Sequence, residues 1–196
     1  FITSCDTQPN NVIVSDKEAS VKNNVVQKEE VITENKVISD SLKFVYDAEE
    51  TSIGFGAFKT TKKKEVKGVF TEFELTNLGE GSSIQSLFTG ANVTITVGSL
   101  NTNNEGRNKT LLKEFFTKTA SSKTITGEVL SFDEENSSAS LEITFNDVVT
   151  ELAFTYELNE DTLSMQSVLN LEDVNGLEAL ASINTACENW HKGSDG

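Results

Sequence analysis

"ASLEITFNDVVTELAFTYEL", residues 139–158, decides the fold. Ala139, Leu141, Ile143 and Phe145 alternate with Ser140, Glu142 and Thr144. After a tight polar turn near Asp147 the alternation resumes, with Val148, Leu152, Phe154, Tyr156 and Leu158 opposite Glu151, Thr155 and Glu157. Successive side chains of a strand point to opposite faces, so a sustained period of two means strands with one dry and one wet face. A short connection of this kind joins antiparallel neighbours.

The same pattern extends outward in both directions. "DTLSMQSVLNL" (161–171) sets Leu163, Met165, Leu169 and Leu171 against Ser164, Gln166 and Asn170. "ANVTITVGS" (91–99) puts Ala91, Val93, Ile95 and Val97 on one face and Asn92, Thr94 and Thr96 on the other. "VKGVFTEFEL" (66–75) reads as Val69, Thr71, Phe73 and Leu75 inward, Glu72 and Glu74 outward. "LKFVYD", "TSIGFGAFK" and "KTITGEVLSF" complete the set, and "DEENSS" (133–138) and "NED" (159–161) read as hairpin loops. About eight strands is the number at which a closed barrel holds one slender ligand. A two-sheet sandwich explains the same alternation. Gly54, Gly56, Gly68 and Gly127 inside strand patterns favour the tight coiling that barrels need. The expected class is therefore all-β, an antiparallel barrel of about eight strands with one or two short helices.

Two segments break the strand pattern. "SLNTNNEGRNKTLLKEFF" (99–116) turns helical and carries Leu111, Leu112, Phe115 and Phe116 as one apolar stripe, with Arg107 at the turn. Such a helix either crosses a barrel mouth as a plug or gate, or caps the core. "NGLEALASINTACENWHKG" (175–193) is the second helix, with Leu177, Leu180, Ala181, Asn184 and Cys187 as its stripe and Asp173 or Asn175 as its cap.

Composition narrows the function. The 196 residues suffice for one domain and a tail, and the net charge of −15 argues against a nucleic-acid partner. It also disfavours adhesion to an anionic bilayer through charge. Cysteines at 5 and 187 and a single His offer neither a disulfide framework nor a zinc site, so no metal is expected. "DEEN" (133–136) lacks the spacing of a calcium loop. Cys187 and His191 lack a third group, and no paired-carboxylate or Ser/His signature occurs, so no catalytic residue is assigned and no enzyme is expected.

The chain opens "FITSC", and Ile2-Thr3-Ser4-Cys5 resembles a bacterial lipobox. On that reading residues 1–5 are a signal-peptide remnant with Cys5 as the lipidated residue. The alternative is an incidental cysteine near a frayed end. Residues 6–41 are rich in Asn, Lys, Glu, Ser and Val and read as a flexible tether, with a mean span of roughly 30 Å and a full reach on the order of 100 Å. The valines equally permit an arm that docks on the domain.

From about Leu42 the sequence resembles the YceI-like polyisoprenoid-binding family. The resemblance rests on "TSIGFGAFKTTKKKEVKGVFTEFE", on "SLNTNNEGRNKTLLKEFF" and on "ITFNDVVTELAFTYEL". Asn108 stands where the family has an acidic residue after the Arg, and Asn146-Asp147 where it has a hairpin glycine. The family continues past a Gly into a closing strand containing Trp, whereas this sequence stops at "GSDG", so residues 42–196 are expected as the barrel domain without its last strand.

The resemblance implies a lipocalin-like barrel at the bacterial cell envelope, periplasmic or surface and lipid-anchored. It implies non-enzymatic carriage of a long polyprenyl or quinone-type lipid, with no other cofactor. Inward faces offer Phe70, Phe73, Val93, Ile95, Val97, Leu141, Ile143, Phe145, Phe154, Tyr156 and Met165, joined by Leu111, Leu112, Phe115 and Phe116, as lipid contacts. A fully packed barrel serving as an envelope-tethered interaction or adhesion domain is the alternative. The oligomeric state, a homodimer included, stays open.

Overall fold

The computed structural model describes residues 5–7, 43–60, 62–119, 123–160 and 162–192. The chain is mostly β. Its strands are β1 (Cys5–Thr7), β2 (Thr51–Lys59), β3 (Lys64–Phe70), β4 (Phe73–Thr76), β5 (Asn92–Thr96), β6 (Leu100–Asn101), β7 (Thr124–Asp133), β8 (Ser138–Phe145), β9 (Val148–Asn159) and β10 (Thr162–Gln166). Helices α1 (Ile84–Phe88), α2 (Glu105–Glu114), α3 (Leu177–Ala186) and α4 (Glu188–His191) lie between or after them. Asp6 and Thr7 of the expected tether thus fall in β1; the lipobox residues before Cys5 and the remainder of the tether lie outside the described residues.

All pairings are antiparallel, in the order β4-β5-β7-β8-β9-β10-β1-β2-β3-β6. The two ends of that order are neighbours in sequence. β3 runs into β4 through Thr71 and Glu72, and β5 runs into β6 through a 3-10 turn at 97–99. Thr71 N–H donates to the Ser99 carbonyl and Thr96 N–H to that of Glu72, so the pairing continues across both breaks. The sheet curls accordingly.

The break at Thr71 and Glu72 corrects one expectation. Val66, Gly68 and Phe70 face inward before it and Phe73 and Leu75 after it, while Val69 is 41% exposed and Thr71 is exposed. Two residues outside the ladder shift the phase of alternation, and no local sequence signal marks where they fall. Gly68 has a packing role instead. A Cβ there would stand 2.6 Å from the Phe55 ring and 2.9 Å from Thr102 Cγ2.

The turn at Asn146-Asp147 is left-handed at both residues, with φ of 55° and 58°. Asn and Asp tolerate that region best among residues with a side chain, so they replace a hairpin glycine. The Asn146 amide also donates to the carbonyls of Val174 (2.8 Å) and Asn175 (3.1 Å), tying the turn to the segment before α3.

Helix α2 starts where Asn104 Oδ1 accepts the Arg107 N–H at 2.9 Å, a side-chain cap. Helix α3 lies one face away from the expected stripe. Ala179 and Ile183 are buried, whereas Leu177 and Leu180 are exposed. Its small residues approach α2, where Ser182 Oγ donates to Glu114 Oε2 at 3.1 Å.

Candidate functional site

An internal space lies at one end of the curled sheet. β5, β8 and β10 begin at that end, and β7 and β9 finish there. Ala91, Val93 and Ile95 of the β5 segment line a cavity, but Val97 does not. Leu141 and Ile143 of β8 line it, but Phe145 does not; Ile53 of β2 does, but Phe55 does not. Each strand therefore leaves the cavity and enters solid packing at about the same level.

The cavity has a volume of about 140 Å³. Its wall is aliphatic and aromatic, with Phe88, Phe132, Phe154, Leu152, Leu163 and Met165 among the larger side chains. Polar character comes from Tyr46, Thr51, Asn92 and Thr126, and no charged side chain lines it among the described residues. Segment 43–50 and the loop before α1 lie over this end, joined by the Phe44 N–H to Gly81 carbonyl bond at 2.7 Å. Helix α1 is held by a capping box in which Ser83 and Ser86 each bond the other's backbone N–H. It carries Phe88 to the wall, where its ring lies 6.2 Å from that of Phe132 and tilted by 33°.

Below the cavity the packing is dense. Ile95, Ile125, Ile143 and Leu169 line the space and also join the cluster of Phe55, Phe70, Phe116 and Phe145. Phe116 meets Phe70, Phe115 and Phe145 edge-on at 6.3, 5.1 and 6.4 Å, and Phe55 lies 5.7 Å from Phe70. Aromatic edges against faces are the favoured arrangement, so this layer is a built plug.

The sequence-derived contacts therefore separate into groups. Val93, Ile95, Leu141, Ile143, Phe154 and Met165 come together on the cavity wall. Phe70, Val97, Phe116 and Phe145 are buried in the plug, with Phe73, Leu111, Leu112 and Phe115 packed against it. Tyr156 belongs to a second cluster with Phe132, and its hydroxyl reaches the Asp133 carbonyl at 3.5 Å. Burial, then the charges of Glu134 and Asp133, push its phenol up. Helix α2 and the 3-10 turn after it thus cap the packed end, away from the cavity.

Some wall residues escaped the sequence reading. Leu75, Leu152 and Leu163 were on inward faces by alternation alone. Phe88 was not legible, because a five-residue helix inside a Gly- and Ser-rich loop has no periodic signal.

Asn108, on α2, holds the residue that follows β6. Its Oδ1 accepts the Thr102 N–H at 2.9 Å and the Thr102 hydroxyl at 2.6 Å. His191, near the surface, donates from Nδ1 to Asn184 Oδ1 at 3.2 Å, and partial burial, then Lys59, lowers its pKa. No group of three or more potential metal ligands occurs among the described residues. No helix among them is long and apolar enough to cross a membrane.

The YceI-like domain family matches residues 44–188. The structure is similar to that of BcnA from Burkholderia cenocepacia, at 13% identity over 66% of this chain and 84% of that one, with a TM-score of 0.49. It is similar to the Campylobacter jejuni YCEI protein at 19% identity, 74% and 90% coverage and a TM-score of 0.48. A polyisoprenoid-binding domain from Saccharophagus degradans implicated in plant cell wall breakdown is similar at 17% identity, 70% and 83% coverage and a TM-score of 0.47. No curated protein matches the chain.

Proposed function

We propose, from the premise that this chain belongs to the YceI-like domain family, that it binds an isoprenoid lipid by taking the apolar tail into the cavity beneath α1. The observation that carries this reading is a wall of apolar side chains enclosing space with no charged group on it. A prenyl tail has only methyl branches and hydrocarbon to offer, and burying each methylene-sized group contributes about 0.8 kcal/mol. On this reading no bond is made or broken, and the protein is a carrier of a long polyprenyl or quinone-type lipid. The curled sheet would serve as a closed eight-stranded barrel, with β3–β4 and β5–β6 each counting as one bent strand.

Charge favours a neutral head group. Asp47, Glu49, Glu50, Asp133, Glu134, Glu135 and Glu160 stand on segments at the cavity's end, where Lys43 is the one cation among the described residues. A phosphate-headed lipid would meet like charge on entry. Attachment to a membrane through Cys5 and a place in the bacterial envelope belong to the same proposal, and the "FITSC" stretch supports them. Labelling with radioactive palmitate in the host tests the anchor; a Cys5→Ser protein that labels as strongly as the wild type removes it.

The carrier reading is tested by solvent extraction of protein purified without detergent, followed by mass spectrometry. A co-purifying prenyl lipid supports it. A clean extract, with no uptake of prenyl alcohol afterwards, favours a tethered interaction or adhesion domain.

A further inference from the structure

The cavity stops short of the barrel's full length, and what stops it is a specific set of side chains. About 140 Å³ matches the size of an engineered apolar cavity that admits a single benzene ring, so room exists for roughly one isoprene unit. Ile95, Ile125, Ile143 and Leu169 close its inner end, and the four-phenylalanine plug stands directly behind them. Leu169 and Val174 are fully buried in the same cluster, and Phe70 and Phe145 are 2% and 1% exposed. A growing hydrocarbon chain cannot enter this layer without displacing several interlocked rings at once.

Resting on the isoprenoid reading, we propose that the plug built on Phe116 and Phe145 is a floor that sets the length of tail the protein recognises. The terminal isoprene unit, with part of the next, is held inside. Any further units stay at the mouth and contribute little. The chain therefore selects its ligand by the shape of the tail's end and does not measure the whole tail.

Phe116 is positioned by chain geometry that the barrel strands do not share. It opens the 3-10 turn at 116–118 after α2, and Thr119 Oγ1 donates to its carbonyl at 2.7 Å. Phe115 shields it on the outer side. Phe116 thus enters the plug from the α2 segment, whereas Phe55, Phe70 and Phe145 enter it from β2, β3 and β8.

The experiment is a competition series on the full chain, displacing radiolabelled geraniol with geraniol, farnesol, geranylgeraniol and solanesol delivered from cyclodextrin. An added unit that is buried should tighten Kd by about tenfold or more. A floor predicts less than about threefold gain from each unit beyond geraniol. The Ile143→Val and Phe116→Leu variants, which trim the inner end mildly, should each restore a gain at farnesol over geraniol measured in the same variant. Steadily rising affinity through solanesol in the wild type overturns the floor and leaves the carrier reading standing. No binding of any alcohol overturns both. A flat series that both folded variants leave flat overturns the assignment to Ile143 and Phe116.

Discussion

Replacing Val93 with Phe separates a true internal space from a merely loose interior. Val93 stands on β5 between Leu75 of β4 and Gly127 of β7, so on the β7 side no side chain faces it across the ladder. Val93 Cγ1 and Ile143 Cγ2 each lie 3.3 Å from where a Gly127 Cβ would be, so a ring at position 93 has to extend into the cavity that Val93 lines. Val93→Phe adds four carbons, worth at most ~3 kcal/mol at about 0.8 kcal/mol each. The cavity's 140 Å³ at ~24 cal/mol per Å³ gives the same ceiling of ~3 kcal/mol. Rotamer strain in a partly closed space takes back ~1–2 kcal/mol, leaving a net gain of about 1–2 kcal/mol. The expected rise in Tm is about 2–8 °C, read by calorimetry on ligand-free protein. Because the ring occupies the ligand's place, geraniol affinity should fall about a hundredfold in the same variant. Stability and binding thus move in opposite directions. A lower Tm together with unchanged geraniol affinity would refute the reasoning, since the ring would then have met packed atoms and the ligand would sit elsewhere.

Asn146→Gly keeps the left-handed turn but loses the bonds to Val174 and Asn175, and should cost ~2 kcal/mol in urea unfolding. Asn146→Ala should cost ~1 kcal/mol more, because it adds the strain of positive φ; equal values for the two variants would remove the backbone argument. Asn108→Asp keeps an acceptor for Thr102 and should stay within ~1 kcal/mol of wild type, whereas Asn108→Leu should lose about 2–3 kcal/mol by stranding two donors. Asp133 is held below the ordinary aspartate range by the Asn136 side chain and then by backbone N–H groups. A lowered folded pKa gives stability that is present above the unfolded value and lost as pH falls below about 4. Asn136→Ala should raise the Asp133 titration seen by NMR and reduce the acid-induced loss of stability; an unchanged titration midpoint would contradict this.

Much of the fold was legible because alternation is a property of the backbone itself. Ala91 to Val97, Ala139 to Phe145 and Val148 to Tyr156 each face inward as their spacing demanded, because a one-residue slip would turn the whole apolar set to water. The reading failed where the ladder is interrupted. Thr71 and Glu72 step out of it and reverse the faces around Val69. Helix α3 failed differently, since both of its sides carry apolar residues. The small Ala179 and Ser182 let it approach α2, and that fit chose the buried side.

The site was less legible for a related reason. Side-chain identity places Ile143 and Phe145 on the same face of β8, two residues apart, yet one borders open space and the other is packed among rings. That difference depends on Phe116, which reaches Phe145 from a turn 29 positions earlier in the chain, and on Leu169 and Val174 from beyond β10. From the sequence alone came the strands and their dry faces, which follow from short-range spacing, and a family likeness carried by three quoted stretches. Only the tertiary structure decided where the dry faces meet and where they stand apart, because an internal volume is the remainder left after many distant side chains have been packed against one another.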